Sequence, residues 1–330
     1  MPIIQAEHVM ATDPRHARSP HAPRYSAGSA YTQDTYRPIG EGMVPIQDAG
    51  FIHADAAYDV VSASRGYLFR MHDHLERFNA SCAKFGLHNP YTDAQTVEIL
   101  TNVVKLAGLR DAYIWWAVTR GQMENDDRSR PRYVNRFYAF VTPYSFILHD
   151  DTRTRGASLV ISEQFERISP RAVDPTAKNF HWMDMKLSIF EALRAGADWS
   201  VLTDGKGNLT EAPGCNIFIV KDGVLRTPAT GCLEGITRKA VFDLAEELGL
   251  PLEVTTVTAH ELVDADEAFL TSTAGGVMPV ARVNTRPLGG RNGPGELTAR
   301  IHDLYWEKRW AGWMGEPIDY STPVVANNIT

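Results

Sequence analysis

Cysteine is scarce in this chain. The three residues, Cys82, Cys215 and Cys232, are odd in number and widely spaced, which fits thiols in a reducing compartment better than a disulfide frame. Long apolar runs are lacking too, and none approaches the roughly 18–20 residues of a membrane span. The opening, MPIIQAEHVMATDPRHARSPHAPRY, has no basic segment followed by an apolar one, so a secretory signal is not expected. Positive charge is in deficit: 33 Lys and Arg face 40 Asp and Glu, a formal net charge of -7. That balance weighs against nucleic acid as the main partner. No internal repeat is visible. A cytoplasmic protein with neither membrane nor nucleic acid as partner is the reading that remains.

At 330 residues, with 44% hydrophobic and 22% charged residues, the chain suits a globular protein with a substantial core and two domains. Residues 1–35, rich in Ala, Ser, Pro, His and Arg and without periodicity, read as an extended arm, able to wrap a partner subunit, or as a partly disordered lead. A small α+β domain is expected over 36–145, a linker over 146–156 and a larger domain over 157–330. In the small domain, GMVPIQDAGFIHADAAYDVV gives a short strand, a turn and a second apolar run. Leu75, Phe78, Cys82 and Phe85 fall at helical spacing, and Thr92 to Leu106 is a second amphipathic helix, capped by Thr92 or Asp93. The runs at 113–119 (YIWWAVT) and 136–144 (RFYAFVTPY) are aromatic and β-branched, so both read as buried strands. In the larger domain a strand-like run at 157–163 precedes the irregular loop ISPRAVDPTAKN. A helix follows with Phe180, Met183, Leu187, Phe190 and Leu193 on one face. Asn216–Lys221 and Val224–Arg226 are strands joined by Asp222-Gly223, a strong hairpin signal. Further strands lie at 252–257 and 267–272, and helices at 235–250 and 294–310. Strands and helices mix without the strict alternation of a Rossmann domain, which indicates two α+β domains.

The stretch from DPTAKNFHWMD to LTDGKGNLTEAPGCNIFIV carries the chemistry. Lys178 stands just ahead of an amphipathic helix, and Glu211 just ahead of a strand. A lysine amine forms a Schiff base with a carbonyl cofactor, and a carboxylate holds a pyridine nitrogen protonated. Pyridoxal phosphate catalysis needs that pair, because the protonated ring is the electron sink for a carbanion. Singly, each residue has a plainer meaning: a solvated lysine at a helix start, a turn acid before a strand. Lys186 competes for the first role but falls mid-helix among polar positions. The ordered set is more specific. Leu233-Glu234-Gly235-Ile236-Thr237-Arg238 and Thr273-Ala274-Gly275-Gly276 are both turns able to aim N–H groups and a Thr hydroxyl at one anion. A helix beginning at Ile236 or Thr237 brings a positive dipole end to a phosphate. Arg77 offers a guanidinium fork that a lysine does not reproduce, against the plainer reading of a salt-bridging helix arginine. The triplet His72-Asp73-His74 has no third ligand at suitable spacing, so no metal is expected.

These motifs resemble the class IV aminotransferases, the fold-type IV pyridoxal phosphate enzymes. That group spans branched-chain and D-amino acid aminotransferases, aminodeoxychorismate lyases and (R)-selective amine transaminases. The resemblance runs from about Gly42 to the last helix. GFIHADAAYDV, FRMHDHLERF, DPTAKNFHW, LTDGKGNLTE, GITRK and TAGGVMP are most similar to the (R)-selective amine transaminases. It implies a two-domain fold-type IV enzyme in which Lys178 is the Schiff-base lysine and proton shuttle, and Glu211 pairs with the pyridine nitrogen. It implies that Arg77, Ile236, Thr237 and Thr273 grip the phosphate while Leu233 packs on the ring. His53, Tyr58, Tyr113, Trp115, Trp182, Thr273 and Ala274 match substrate-pocket positions. A homodimer with active sites at a two-fold interface is implied as well.

The implied reaction moves an amino group from an (R)-configured primary amine to a keto acid such as pyruvate. The alternative on the same fold is a D-amino acid or branched-chain aminotransferase, and a further one is a lyase releasing pyruvate from aminodeoxychorismate. Trp115 stands where many (R)-amine transaminases have a small or acidic residue, and where branched-chain enzymes usually carry an arginine. Arg128, Arg130 and Arg132 all compete for the mobile carboxylate clamp of the family. Pro213 and Cys215 replace residues usually small and aromatic.

Overall fold

The computed structural model describes residues 23–125, 127–149 and 151–324. Most of the arm expected over 1–35 lies outside them. The chain divides into two compact units. Among the described residues, one takes the chain up to Ser145 together with Ala177–His181 and the chain from Gly312 onward; the other takes Phe146–Thr176 and Trp182–Ala311. The sequence boundaries assign all of 157–330 to one domain, whereas two of its segments return to the first unit. Backbone pairing explains both returns. The Tyr58 N–H donates to Lys178 O at 3.0 Å, and Gly315–Pro317 pairs antiparallel with Tyr67–Phe69.

The first unit contains β1 (Ser29–Thr32), β2 (Thr35–Pro38), α1 (Ala49–His53), β3 (Ala56–Ser64), β4 (Tyr67–Phe69), α2 (Met71–Lys84), α3 (Asp93–Ala107), β5 (Ala112–Met123) and β6 (Tyr133–Pro143). Its antiparallel sheet runs β4-β3-β5-β6-β1-β2, with Gly315–Pro317 on the β4 edge. β1 falls within the stretch read as an aperiodic arm, yet all four of its residues are buried. The expected strand in GMVPIQDAGFIH is not formed. Instead the Asp48 carboxylate accepts the Gly50 N–H at 2.8 Å and starts α1, a cap that satisfies one helix-end donor. α3 opens on a full capping box between Thr92 and Gln95. Leu75, Phe78 and Cys82 of α2 pack into a core with Leu100, Val103, Ile114 and Trp116. That core fixes α2, and hence Arg77, against the sheet.

The second unit contains α4 (Thr152–Arg155), β7 (Ala157–Ile161), α5 (Met183–Arg194), β8 (Trp199–Val201), β9 (Asn216–Lys221), β10 (Val224–Pro228), α6 (Ile236–Glu247), β11 (Leu252–Thr255), α7 (Ala259–Val263), β12 (Glu267–Ser272), β13 (Gly276–Val283), β14 (Arg286–Pro287) and α8 (Glu296–Trp310). The mixed sheet runs β11-β10-β9-β12-β13-β7-β8, with β14 on β13. In the β9–β10 hairpin Asp222 (φ 51°) and Gly223 (φ 76°) are both left-handed, as the favoured two-residue turn requires. One sequence expectation is reversed here. The face of α5 that carries Met183, Leu187, Phe190 and Leu193 is exposed. Met185, Ser188, Ile189 and Ala192 form its buried face, anchored where Ser188 Oγ meets Ser200 Oγ at 2.8 Å. Helical periodicity marks an apolar stripe without telling which partner covers it. No described helix is long and apolar enough to cross a membrane.

Candidate active site

In the first unit the lysine is held by its backbone. Lys178 N–H donates to Ser81 Oγ at 3.0 Å, its carbonyl accepts from Tyr58, and Ala57 bridges to Asn179. This pins a short non-helical segment to the edge of β3 and the back of α2. The side chain then stands with Nζ 4.4 Å from the centroid of the buried Tyr58 ring. Trp115 and Phe180 flank that ring at 5.9 and 5.7 Å, and Trp115 stacks on Phe140 at 5.1 Å. The amine therefore lies against an aromatic box. Tyr113 sits beside it, half-buried, with its phenol pushed upward by burial and then by the charges of Tyr58 and Asp59. His53, the last residue of α1, is exposed.

Arg77 rises from the middle of α2 and turns onto Asp59 of β3. Its Nε donates to Asp59 Oδ2 at 2.8 Å and Nη2 to Oδ1 at 2.7 Å. His74, also on α2, faces Asp59 Oδ1 through Nδ1 at 2.8 Å. Burial opposes Asp59's charge, but Arg77 and His74 outweigh it and hold the carboxyl well below the usual range. Burial holds His74 below its ordinary value, so the neutral ring donates its Nδ1 hydrogen to Asp59. One forked edge of Arg77 is thus engaged, and the guanidinium plane is fixed. Arg128, Arg130 and Arg132 all lie exposed in the loop between β5 and β6, and the geometry selects none of them.

In the second unit Glu211 is 3% exposed. Its Oε1 accepts from Arg167 Nε at 2.9 Å and its Oε2 from the Leu233 N–H at 3.1 Å. Arg167 reaches Asp184 with Nη1 at 2.7 Å. Burial works against the charge on Arg167, but Glu211 and Asp184 more than offset it, and its pKa is raised. The Leu233 turn is held again from β9, where Asn216 Nδ2 donates to Leu233 O at 2.7 Å. It leads through Gly235, which carries no side-chain cap, into the first turn of α6 with Ile236 and Thr237 buried. A side chain at Gly235 would collide with Asn216 Oδ1, so only glycine lets the turn pass this close. Thr273 and Ala274 begin the β12–β13 turn, where the Ala274 N–H donates to Ser272 Oγ at 3.2 Å. Trp182 precedes α5, with its ring edge close to Gly214.

Thus Lys178, Arg77, Tyr58, Tyr113, Trp115 and His53 fall in the first unit. Glu211, Leu233, Ile236, Thr237, Thr273, Ala274 and Trp182 fall in the second. Sequence reading missed the groups that hold them in place: Asp59, His74 as Asp59's partner, Arg167 and Asp184. The available signal was weak. Asp59 stands alone in an apolar strand, Arg167 lies in an irregular loop, His74 and Asp184 are helix residues, and nothing local names their counterions.

The amino-transferase class IV family model matches residues 56–283. A putative branched-chain-amino-acid aminotransferase of Methanocaldococcus jannaschii is 30% identical over 273 residues, covering 82% of this chain and 92% of the relative. A D-alanine aminotransferase of Listeria monocytogenes is 27% identical over 285 residues, covering 81% and 91%. A solved T.th. branched-chain amino acid aminotransferase with pyridoxamine 5'-phosphate superposes with a TM-score of 0.82 at 26% identity, covering 89% of this chain and 99% of that one. The chain belongs to the class IV aminotransferases. It is an α+β enzyme of fold type IV that uses pyridoxal 5'-phosphate.

The residues present fit that cofactor. The uncapped α6 N-terminus behind an obligatory glycine offers amides and the Thr237 hydroxyl to an anion. The buried, cation-bound Glu211 is an acceptor suited to a protonated ring nitrogen.

Proposed function

We propose that the protein moves an amino group between an (R)-configured primary amine and a keto acid such as pyruvate. The observation that carries this reading is the wall beside Lys178 Nζ, built from the uncharged rings of Tyr58, Trp115 and Phe180. Such a wall accommodates an apolar substituent on the donor, and Trp115 replaces the arginine usual in the branched-chain relatives. The names of the relatives favour a second reading, a D-amino acid or branched-chain amino acid aminotransferase. A donor panel decides between them. (R)-1-Phenylethylamine with pyruvate is expected to turn over faster than its enantiomer, D-alanine or L-leucine; a preference for either amino acid transfers the assignment to the second reading.

In the mechanism we infer, bound pyridoxal phosphate supplies the electron sink. Lys178 Nζ takes the proton alpha to the donor nitrogen and returns it in the later step, as a positioned base does. Its place against the Tyr58 face fixes where that amine stands. Glu211 keeps the ring-nitrogen proton in place, steadied by Arg167 and the Leu233 N–H. Ile236, Thr237 and Thr273 would hold the phosphate, and Leu233 would pack against the ring. Arg77, in an orientation set by Asp59, would offer its guanidinium to a phosphate. Arg77→Ala is expected to weaken cofactor retention by about 1.5–3 kcal/mol, roughly 10- to 150-fold in Kd, measured by titrating the apoprotein with pyridoxal phosphate. Unchanged affinity would assign the arginine to Asp59 and the fold alone.

We also read the working form as a homodimer in the cytoplasm. The exposed stripe Met183, Leu187, Phe190 and Leu193 on α5 supports a covering partner, and Cys82, Cys215 and Cys232, all buried and outside any disulfide, suit a reducing compartment. Sedimentation at monomer mass at micromolar concentration would refute the dimer.

A further inference from the structure

Arg238 lies in the first turn of α6 and is 7% exposed. Its Nη2 donates to Pro228 O at 3.0 Å and its Nε to Thr227 Oγ1 at 3.4 Å. Both acceptors are neutral, and the Thr227 hydroxyl itself donates to Ile217 O at 2.8 Å. The guanidinium stands 4.9 Å from the centroid of the Phe242 ring. Phe242 meets Phe218 edge-on, and Phe218 stacks on Phe269 at 4.9 Å, so the charge rests on the end of an apolar column. Among the described residues no carboxylate pairs with it, whereas Arg77 and Arg167 each grip one. Cys232, which also reaches Pro228 O, is no substitute, because burial pushes its thiol up to about 12 and keeps it neutral. Burial opposes the charge on Arg238 more than Cys232 and Glu234 favour it, yet a guanidinium keeps its proton in a protein.

The helix dipole favours acids in a first turn and bases in a last one. α6 has no acid in its first turn, no side-chain cap on Gly235, and a buried cation as its third residue. Each of these disfavours the helix by itself, and each favours an anion at its N-terminus. Against dry aromatic rings the field of Arg238 is weakly screened and extends beyond its own contacts. We propose that Arg238 is an electrostatic anchor for the cofactor phosphate, acting through space on the anion received by the Ile236–Thr237 turn. The phosphate is in return the counter-charge that this buried guanidinium lacks. The inference rests on the pyridoxal phosphate site read above, and adds to it a residue whose own contacts all lie within the protein.

Titration of the cofactor-stripped full chain with pyridoxal phosphate and with pyridoxal separates charge from fold, because pyridoxal has the same aldehyde and ring but no phosphate. Arg238→Gln keeps a donor for Pro228 O and drops the charge. Its Kd for pyridoxal phosphate is expected to rise about tenfold or more, while its Kd for pyridoxal stays within about a factor of two. Arg238→Lys should recover most of the phosphate-dependent affinity, since it returns the charge without the fork. The empty Gln variant should melt at or above the parent's Tm, because a buried charge without a partner has been removed. A purely structural arginine predicts a lower Tm, equal losses for both ligands and no rescue by lysine, and equal losses or unchanged pyridoxal phosphate affinity would overturn the proposal. Should Arg238→Gln not fold, Thr227→Val decides: it removes a contact of the guanidinium but keeps the charge, so the ratio of the two Kd values should hold within about twofold. A tenfold change of that ratio, about 1.4 kcal/mol, would make Arg238 a clamp instead. Thr237→Val tests the site itself. If it weakens pyridoxal phosphate binding and Arg238→Gln does not, the site stands and the anchor fails; if neither does, the phosphate site is misplaced and both fail.

Discussion

Replacing Lys178 with alanine should abolish transamination and leave the fold intact. The segment is anchored by main-chain groups, Lys178 N–H to Ser81 Oγ and Lys178 O from the Tyr58 N–H, and both survive loss of the side chain. What disappears is the amine over Tyr58, worth roughly 0.5–1 kcal/mol to stability as a cation–π contact. Catalysis loses far more. A positioned base alone contributes about 10²–10⁴-fold, and the covalent anchor for the cofactor goes with it. The variant should lack the visible absorbance of lysine-bound pyridoxal phosphate and show turnover at least about 10⁴-fold below the parent. Lys186→Ala is the control: it is exposed in the middle of α5, and a surface change there should cost no more than about 0.5 kcal/mol. Turnover retained in the first variant and lost in the second would move the reactive amine to Lys186.

Much of this was legible in the sequence, and the limits have physical causes. Regular elements with strong local signals were readable: the Thr92 cap of α3, the Asp222-Gly223 hairpin, the apolar periodicity of α2. The ordered motifs around Lys178, Glu211, Gly235 and Thr273 were readable because their spacing is unusual. The affiliation of Ala177–His181 was not, since it depends on a strand-edge bridge to Ala57 and on bonds to Tyr58 and Ser81 that join residues far apart in the chain. The burial of β1 was hidden for a similar reason. Ser29 donates to Val103 O at 2.6 Å, a contact that no local pattern announces. α5 failed in the opposite way: its apolar stripe was seen, but its small-residue face is the one that packs. The counterions were the largest omission. A charge-to-charge contact has no periodicity, so Asp59 for Arg77, and Arg167 for Glu211, had to come from coordinates.

Arg167→Met tests the most consequential of those contacts. Arg167 is 8% exposed and joins two carboxylates, Glu211 at 2.9 Å and Asp184 at 2.7 Å. Methionine fills much of the volume but leaves both acids without their cation. Removing one partner of a buried ionic set costs about 3–5 kcal/mol, which for a chain of this size lowers Tm by on the order of 5–15 °C. Arg167→Lys keeps a charge but loses the fork that reaches both carboxylates, so it should fall between parent and Met variant. A purely structural arginine predicts a stability loss with kinetics unchanged in the folded fraction. A positioning arginine predicts in addition that kcat falls while KM for the amine hardly moves, because the Glu211 carboxylate loses the contact that fixes its orientation. Equal Tm and equal kcat in parent and Met variant would remove Arg167 from both roles, and would shift the holding of that carboxylate to the Leu233 N–H.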